Sequence, residues 1–194
     1  MVLATRNADK VAEIRRILRL PAGGLVSLLD YPELPEIDET GLTLEDNALI
    51  KAREAHRQTG LPCLADDTGL EVDALKGAPG VFSSRFAGPG ATYADNTAKL
   101  LRAMEAVQEK NRRARFRCVV ALKAGKREEW VEGNLEGVIL REARGDGGFG
   151  YDPVFFIPQA GKTLAEMTLE EKNAVSHRGA AFRRMAERLA ERPV

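Results

Sequence analysis

Two aspartates side by side, Asp66 and Asp67, close an apolar run of Cys63, Leu64 and Ala65. No other feature constrains the chain as much. The run reads as a buried strand, and carboxylates at the end of a buried strand are costly unless they are paired, hydrogen-bonded or bound to a metal. Neighbours on a strand point to opposite faces, so the two should divide their work, one facing a site and the other bracing the backbone. Thr68 and Gly69 follow, a small pair that lets another backbone or a ligand come close. Through LADDTGLEVDALKGAPGVFSSRFAGPG, from Leu64 to Gly90, glycines and prolines are spaced as in a long ordered loop. Such loops in compact domains are often functional.

The 194 residues suffice for one substantial core or for two lobes around a shared sheet. Hydrophobic residues make up 44% and charged residues 30%, the balance of a folded globular protein. Lys and Arg equal Asp and Glu at 29 each, which argues against a stable nucleic-acid partner and leaves room for a local basic pocket. Cys63 and Cys118 both lie in apolar segments and read as buried free thiols. No apolar run is long enough to cross a membrane, and MVLATRNADK lacks the apolar region of a signal peptide, so the expected location is the cytoplasm.

In chain order, Met1 to Ala4 is a short strand, TRNADK from Thr5 to Lys10 a polar turn, and the following helix carries Val11, Ile14, Ile17 and Leu18 on one face. A helix N-terminus suits phosphate; Thr5 and Asn7 can add donors there, and Lys10 a charge. Leu20 to Leu42 is punctuated by Pro and Gly, with a short strand near Val26 to Leu29. It ends in Glu36, Asp38 and Glu39, a solvated loop on its own. Thr43, with Asp46 three residues on, opens a helix that Gly60 and Pro62 stop. Asn47 and Lys51 share one of its faces and read as solvated, and His56 as a surface residue.

Asp95 to Gln108 reads as a helix with Leu100, Leu101, Met104 and Val107 inward. Lys110 to Arg117 holds five basic residues and reads as a solvated turn before a half-buried strand of alternating Phe116, Cys118, Val120 and Leu122. Trp130 to Leu140 gives one or two further strands interrupted by Gly133 and Gly137. Consecutive strands here, after strand–helix alternation, indicate a mixed sheet. In GDGGFGYDPVFFIP, Phe149 sits among glycines. Its ring is either a stacking platform for a nucleobase or folded onto the core. Thr168 with Glu171 makes a capping box, Lys172 follows, and Ser176 is the N-cap of a last helix that begins with His177, Arg178 and Gly179.

TRNADK, DETGLTLEDNALIKA, LADDTGLEVDALKGAPGVFSSRFAG, GGFGYDPVFF and LEEKNAVSHRGAAF occur in that order across nearly the whole chain. Together they resemble the inosine triphosphate pyrophosphatase family. The resemblance implies one catalytic domain over residues 1–194 with an α/β fold of two lobes around a long mixed β-sheet and a central substrate cleft. It also implies a homodimer, a magnesium (Mg2+) requirement, and hydrolysis of ITP, dITP and XTP to monophosphate and pyrophosphate.

Carried over by position, Thr5, Arg6, Asn7, Ala8, Asp9 and Lys10 resemble the triphosphate-binding turn. Glu39 and Asp67 resemble the metal carboxylates, and Asp67 also the general base. Thr68 stands where the family often has Ser and keeps the hydroxyl. Phe149, Gly150, Tyr151 and Asp152 resemble the base-stacking loop, and Lys172, His177 and Arg178 the nucleotide-binding set, with Arg178 as donor to a 6-oxo group. Arg6, where a small residue is frequent, either adds a phosphate contact or points to solvent. Lys10, Lys51, Lys172 and magnesium can offset the charge of a triphosphate. Two rival readings stand beside this one: a pyrophosphatase of the same fold acting on modified pyrimidine or 7-methylguanosine triphosphates, and a nucleotide sensor that does not hydrolyse. The SHRG and FGYD stretches weigh against the first, and the presence of both Asp67 and Glu39 against the second.

Overall fold

A computed structural model describes residues 1–18 and 24–194. The Pro- and Gly-bearing start of the 20–42 stretch, residues 20–23, lies outside the described residues. Two compact units emerge from the contacts: Met1–Asp67 with Cys118–Gly133 and Ser176–Val194, and Thr68–Arg117 with Asn134–Val175. Eight strands form one sheet in the order β2-β1-β3-β5-β6-β7-β8, with β4 paired to β3 off this path. The ranges are β1 Val2–Leu3, β2 Val26–Ser27, β3 Cys63–Val72, β4 Pro79–Gly80, β5 Arg113–Ala124, β6 Arg127–Ile139, β7 Phe155–Ile157 and β8 Lys162–Thr163. The sheet is mixed, as the sequence predicts: β1 runs parallel to β2 and β3, while β3–β4, β6–β7 and β7–β8 are antiparallel.

In the first unit, α1 (Ala8–Leu18), α2 (Leu44–Thr59) and α5 (His177–Glu191) accompany the strands. Its core gathers Leu3 and Leu64 from the strands, Val11 and Ile14 from α1, and Phe182 and Met185 from α5. α2 has the ends its sequence announces. The Thr43 hydroxyl accepts from the Asp46 N–H, and Gly60 closes the helix at φ 70°, a left-handed conformation that glycine adopts without a Cβ penalty. β5 and β6 are joined by Gly125 and Lys126 alone, a two-residue hairpin. Residues 118–122 of β5 are buried on both faces, not alternately as expected, because Val119 and Ala121 are covered as fully as Cys118, Val120 and Leu122. β6 is one strand and not two. Gly133 leaves it unbroken and lets it approach the start of α5: a Cβ there would collide with the His177 carbonyl oxygen and the Ala181 nitrogen.

In the second unit, α3 (Tyr93–Ala103) and α4 (Leu169–Val175) lie with a core built on Leu70, Leu100, Met104, Phe116, Phe155 and Leu164. α3 starts two residues before the expected Asp95 and ends short of Gln108. Thr92 and Asp95 make the capping box that sets its start. Beyond its end the Arg112 guanidinium takes up the carbonyls of Met104 and Val107. Arg112 also donates to Ile139 and Leu140 and is 1% exposed, so the basic run 110–117 is not a simple solvated turn. Four carbonyls satisfy a cation that sequence alone reads as surface. Thr168 and Glu171 exchange backbone bonds at the start of α4 as predicted.

The aspartate pair is not at a strand end. β3 continues through Asp66, Asp67, Thr68 and Gly69 to Val72. Carboxylates can lie inside a strand here because each finds a cation on its own face.

Candidate active site

Within the first unit, Asp66 is 1% exposed, and Lys10 Nζ lies 2.9 Å from its Oδ2. Arg178 Nε stands 3.5 Å from the same oxygen, and Arg178 Nη1 donates to Glu13 Oε2 at 2.6 Å. Lys10 and Glu13 come from the first turns of α1, Arg178 from the first turn of α5, and Asp66 from β3. Two cations face two carboxylates, so this quartet, buried except for part of Lys10, is neutral. Burial alone would push the Asp66 carboxyl up, but the charges of Lys10, Arg178 and Lys51 outweigh it and hold the group well below the ordinary carboxylate range. Arg178, although buried, is held above its usual value by Asp66 and Glu13.

Asp67 belongs to a different set. Lys51 Nζ is 3.0 Å from Asp67 Oδ1 and 3.2 Å from Glu39 Oε1. Here two carboxylates face one ammonium, leaving one uncompensated negative charge. Burial pushes the Asp67 carboxyl up, Glu39 adds to the rise, and the two lysines oppose it without cancelling it. Lys51 shows the reverse. Burial draws it down, yet Asp67, Glu39 and Asp66 hold it above the usual lysine value. The two partners differ because Lys51 feels three carboxylates, whereas Asp67 feels a like charge as well as its partner. Contrary to the reading of a solvated face, Asn47 and Lys51 are both buried on α2. The Asn47 Nδ2 donates to Asp67 Oδ2 at 3.4 Å, and its Oδ1 accepts the Gly41 N–H at 2.8 Å, which fixes the loop that carries Glu39.

The turn before α1 is built by its own side chains. The Asn7 N–H donates to Thr5 Oγ1 at 3.2 Å, and Asn7 Oδ1 caps the helix by accepting the Lys10 N–H at 3.1 Å. Ala8 and Asp9 form its first turn. Arg6 points neither to solvent nor into the turn. Its guanidinium donates to the carbonyls of Leu28, Tyr31 and Leu34, tying down the segment after β2. His177 is 2% exposed at the start of α5, whose N-cap Ser176 accepts the Gly179 N–H at 3.0 Å.

Within the second unit, Gly148 and Gly150 at φ 69° and 64° flank Phe149. The Phe149 N–H donates to Asp152 Oδ2 at 2.8 Å, and Lys172 Nζ donates to the same oxygen at 2.6 Å. Lys172 Nζ also lies 4.7 Å from the Phe149 ring centroid, within cation–π range. The ring is half-buried and stands outside the core cluster, whereas Tyr151 is buried in it with its hydroxyl donating to Ser83 O. Burial pushes the Tyr151 phenol far up. Thr68, on β3, is half-buried.

Glu13 escaped the reading of the sequence, which sets Asn47 beside Lys51 but gives it no role in the site. The available signals were their spacings, Glu13 three residues after Lys10 and Asn47 four before Lys51, each placing a polar group beside a lysine on one helix face.

No group of three or more His, Cys, Asp or Glu side chains able to hold a metal occurs among the described residues. The donor set nevertheless fits magnesium. That ion takes one or two carboxylates plus waters and substrate oxygens, and the Asp67–Glu39–Lys51 trio carries an excess negative charge.

Comparison with known proteins agrees over nearly the full length. The chain is 52% identical over 190 residues to a dITP/XTP pyrophosphatase of Geobacter sulfurreducens, covering 97% of this chain and 96% of that one. It is 50% identical over 188 residues to a dITP/XTP pyrophosphatase of Desulforamulus reducens, covering 96% and 94%. The solved structure of a HAM1 protein from Coxiella burnetii superposes with a TM-score of 0.88 at 47% identity, covering 98% of both chains. The model of the Ham1 family matches residues 1–188, the span that holds both aspartate sets, the Phe149 loop and the start of α5, and the chain belongs to that family.

Proposed function

We propose that the protein is a nucleoside-triphosphate pyrophosphatase that cleanses the nucleotide pool by hydrolysing ITP, dITP and XTP to the monophosphate and pyrophosphate. The observation that carries this reading is the contrast along β3: Asp66, itself buried, in a neutral quartet, and Asp67 beside Glu39 and Lys51 with one negative charge left over. The first is a brace; the second is chemistry in waiting. The names of the Geobacter and Desulforamulus relatives support the substrate class.

Within the first unit, the free N–H groups at the start of α1 and the ammonium groups of Lys10 and Lys51 bind phosphate oxygens. Asp67, its basicity raised by burial, orients the attacking water and accepts its proton. Glu39 and Asp67 would hold a magnesium ion, which when bound polarises phosphoryl oxygens and offsets their charge. Water adds to one phosphorus of the α–β anhydride, the bond from that phosphorus to the bridging oxygen breaks, and the departing phosphate group keeps its electron pair, giving monophosphate and pyrophosphate. Because the bond is an anhydride, positioning and charge stabilisation carry most of the barrier reduction. Arg178, committed to Glu13 and Asp66, acts by holding Asp66 and Lys10 in place, and His177 shapes the pocket beside it.

Within the second unit, the Phe149 ring serves as the stacking platform for the purine, with Gly150, Tyr151, Asp152 and Lys172 fixing its loop. Thr68 contributes a hydroxyl to substrate binding. The whole of residues 1–194 acts as one catalytic domain, and the working form is a cytoplasmic homodimer.

Pyrophosphate release with magnesium, measured for ITP, XTP, dITP, ATP, GTP, CTP and UTP, tests the reading. Turnover concentrated on the 6-oxo purines other than GTP is expected. Turnover concentrated on pyrimidines overturns the substrate class, and binding without release overturns the reaction.

A further inference from the structure

The glycines around Phe149 give its loop no stiffness of its own, since Gly148 and Gly150 both occupy the left-handed region that a free glycine enters and leaves readily. A stacking platform needs a fixed plane, so something outside the loop must hold it. One helix meets the loop at two successive residues. The Tyr93 ring packs on Phe149 with centroids 5.7 Å apart and planes tilted by 35°. The Thr97 hydroxyl donates to the Gly150 carbonyl oxygen at 3.2 Å. Tyr93 and Thr97 are four residues apart in α3 and therefore share a face of it. The base of that face is itself anchored. The Thr92–Asp95 capping box fixes the first turn, which carries Tyr93. The Asn96 side chain bonds the Ala87 N–H at 2.7 Å and the Ser84 carbonyl at 3.0 Å, and Lys99 Nζ bonds the Phe86 carbonyl at 2.5 Å.

Tyr93 is 43% exposed, so burying it is not its purpose as it is for Leu100 or Met104 on the same helix. An exposed aromatic set against a half-buried one, on a helix pinned at its start, is placed to limit where the second ring can go. We propose that Tyr93 and Thr97 are positioning residues for nucleotide binding, holding the Phe149 ring and the following peptide in the orientation that accepts the purine. This rests on the reading of Phe149 as the stacking platform. Asp152 and Lys172 fix the loop from its other end through the Phe149 N–H and the ring itself. The α3 face supplies the remaining restraint.

The test compares KM and kcat for dITP in Tyr93→Ala, Tyr93→Phe, Thr97→Val, Phe149→Ala and the double variant Tyr93→Ala/Phe149→Ala, with thermal melting of each. Tyr93→Ala should raise KM about two- to tenfold, the scale of one aromatic pair, with kcat little changed. Tyr93→Phe, which keeps the ring, should restore the wild-type KM, and Thr97→Val should raise it by a smaller factor. In the Phe149→Ala background, removing Tyr93 should add nothing. If Phe149→Ala leaves KM unchanged, the platform reading itself falls, and this inference with it. If Phe149→Ala raises KM but Tyr93→Ala does not, the platform stands and Tyr93 does not position it. If Tyr93→Ala costs as much with Phe149 absent as present, Tyr93 meets the nucleotide directly and the positioning role is overturned.

Discussion

Asp66 and Asp67 share a peptide bond and are held on opposite sides of the ordinary carboxylate range: Lys10, Arg178 and Lys51 depress the first against its burial, whereas burial raises the second. The difference separates a structural charge from a reactive one, and mutation can tell them apart.

Asp67→Asn keeps the shape and removes the charge. Turnover of dITP should fall at least about a hundredfold, the usual scale for losing a general base, while far-UV circular dichroism stays that of the wild type. Near-wild-type kcat would remove Asp67 from the mechanism.

Asp66→Asn should instead act on stability. It leaves Lys10 and Arg178 short of a counter-charge in a largely buried quartet, and breaking a buried ion pair in this way costs ~3–5 kcal/mol. The folded carboxyl lies below its ordinary value of 3.8, so its ionised form stabilises the fold above that pH, and this contribution drains away as pH falls below it. Denaturant melts at a series of pH values should therefore show a gap between wild type and Asp66→Asn that is full near neutrality and narrows in acid. A gap independent of pH would mean that the ionised carboxylate is not what the fold gains from.

Arg178→Ala removes a guanidinium engaged by Glu13 and Asp66 and leaves two buried carboxylates short of a counter-charge. The expected signature is a large loss of melting temperature with the ratio of kcat/KM for ITP over ATP changed by less than about tenfold, or 1.4 kcal/mol. A collapsed ratio in a stable protein would instead assign Arg178 the direct reading of the 6-oxo group.

Phe149→Ala should weaken ITP binding by ~1–3 kcal/mol, the range for base–aromatic stacking. Stacking does not read the edge of a base, so the preference for ITP over ATP should survive, as parallel titrations with both nucleotides would reveal. A destabilised protein with unchanged affinity would return Phe149 to the core.

Local chemistry was legible in the sequence wherever both partners lie within a few residues. Thr43, Thr168 and Ser176 cap the helices they were expected to cap, because a cap and its N–H are three residues apart. Mixed pairing followed from consecutive strands late in the chain. Partners far apart were not legible. Lys51 reads as solvated until Asp67, 16 residues on, is folded against it, and no local pattern marks the pairing of Arg178 with Glu13, 165 residues away. Arg6 and Arg112 misled for a related reason: both are satisfied by backbone carbonyls, which every residue has and no sequence pattern marks.

The short β1 has a consequence out of proportion to its length. Val2 pairs with Cys63 and Leu3 with Leu64, and these pairings set the alignment of β3 just ahead of the aspartates. A slip of one residue on a strand turns every side chain to the other face. In β3 it would carry one aspartate into the other's place and push the second one position beyond, so that one lysine trades its aspartate for the other and the second lysine faces no carboxylate, without changing a single amino acid. Deleting one residue between α2 and β3 and restoring the length elsewhere in the chain would therefore be more damaging than most point mutations, because alignment itself assigns the chemistry.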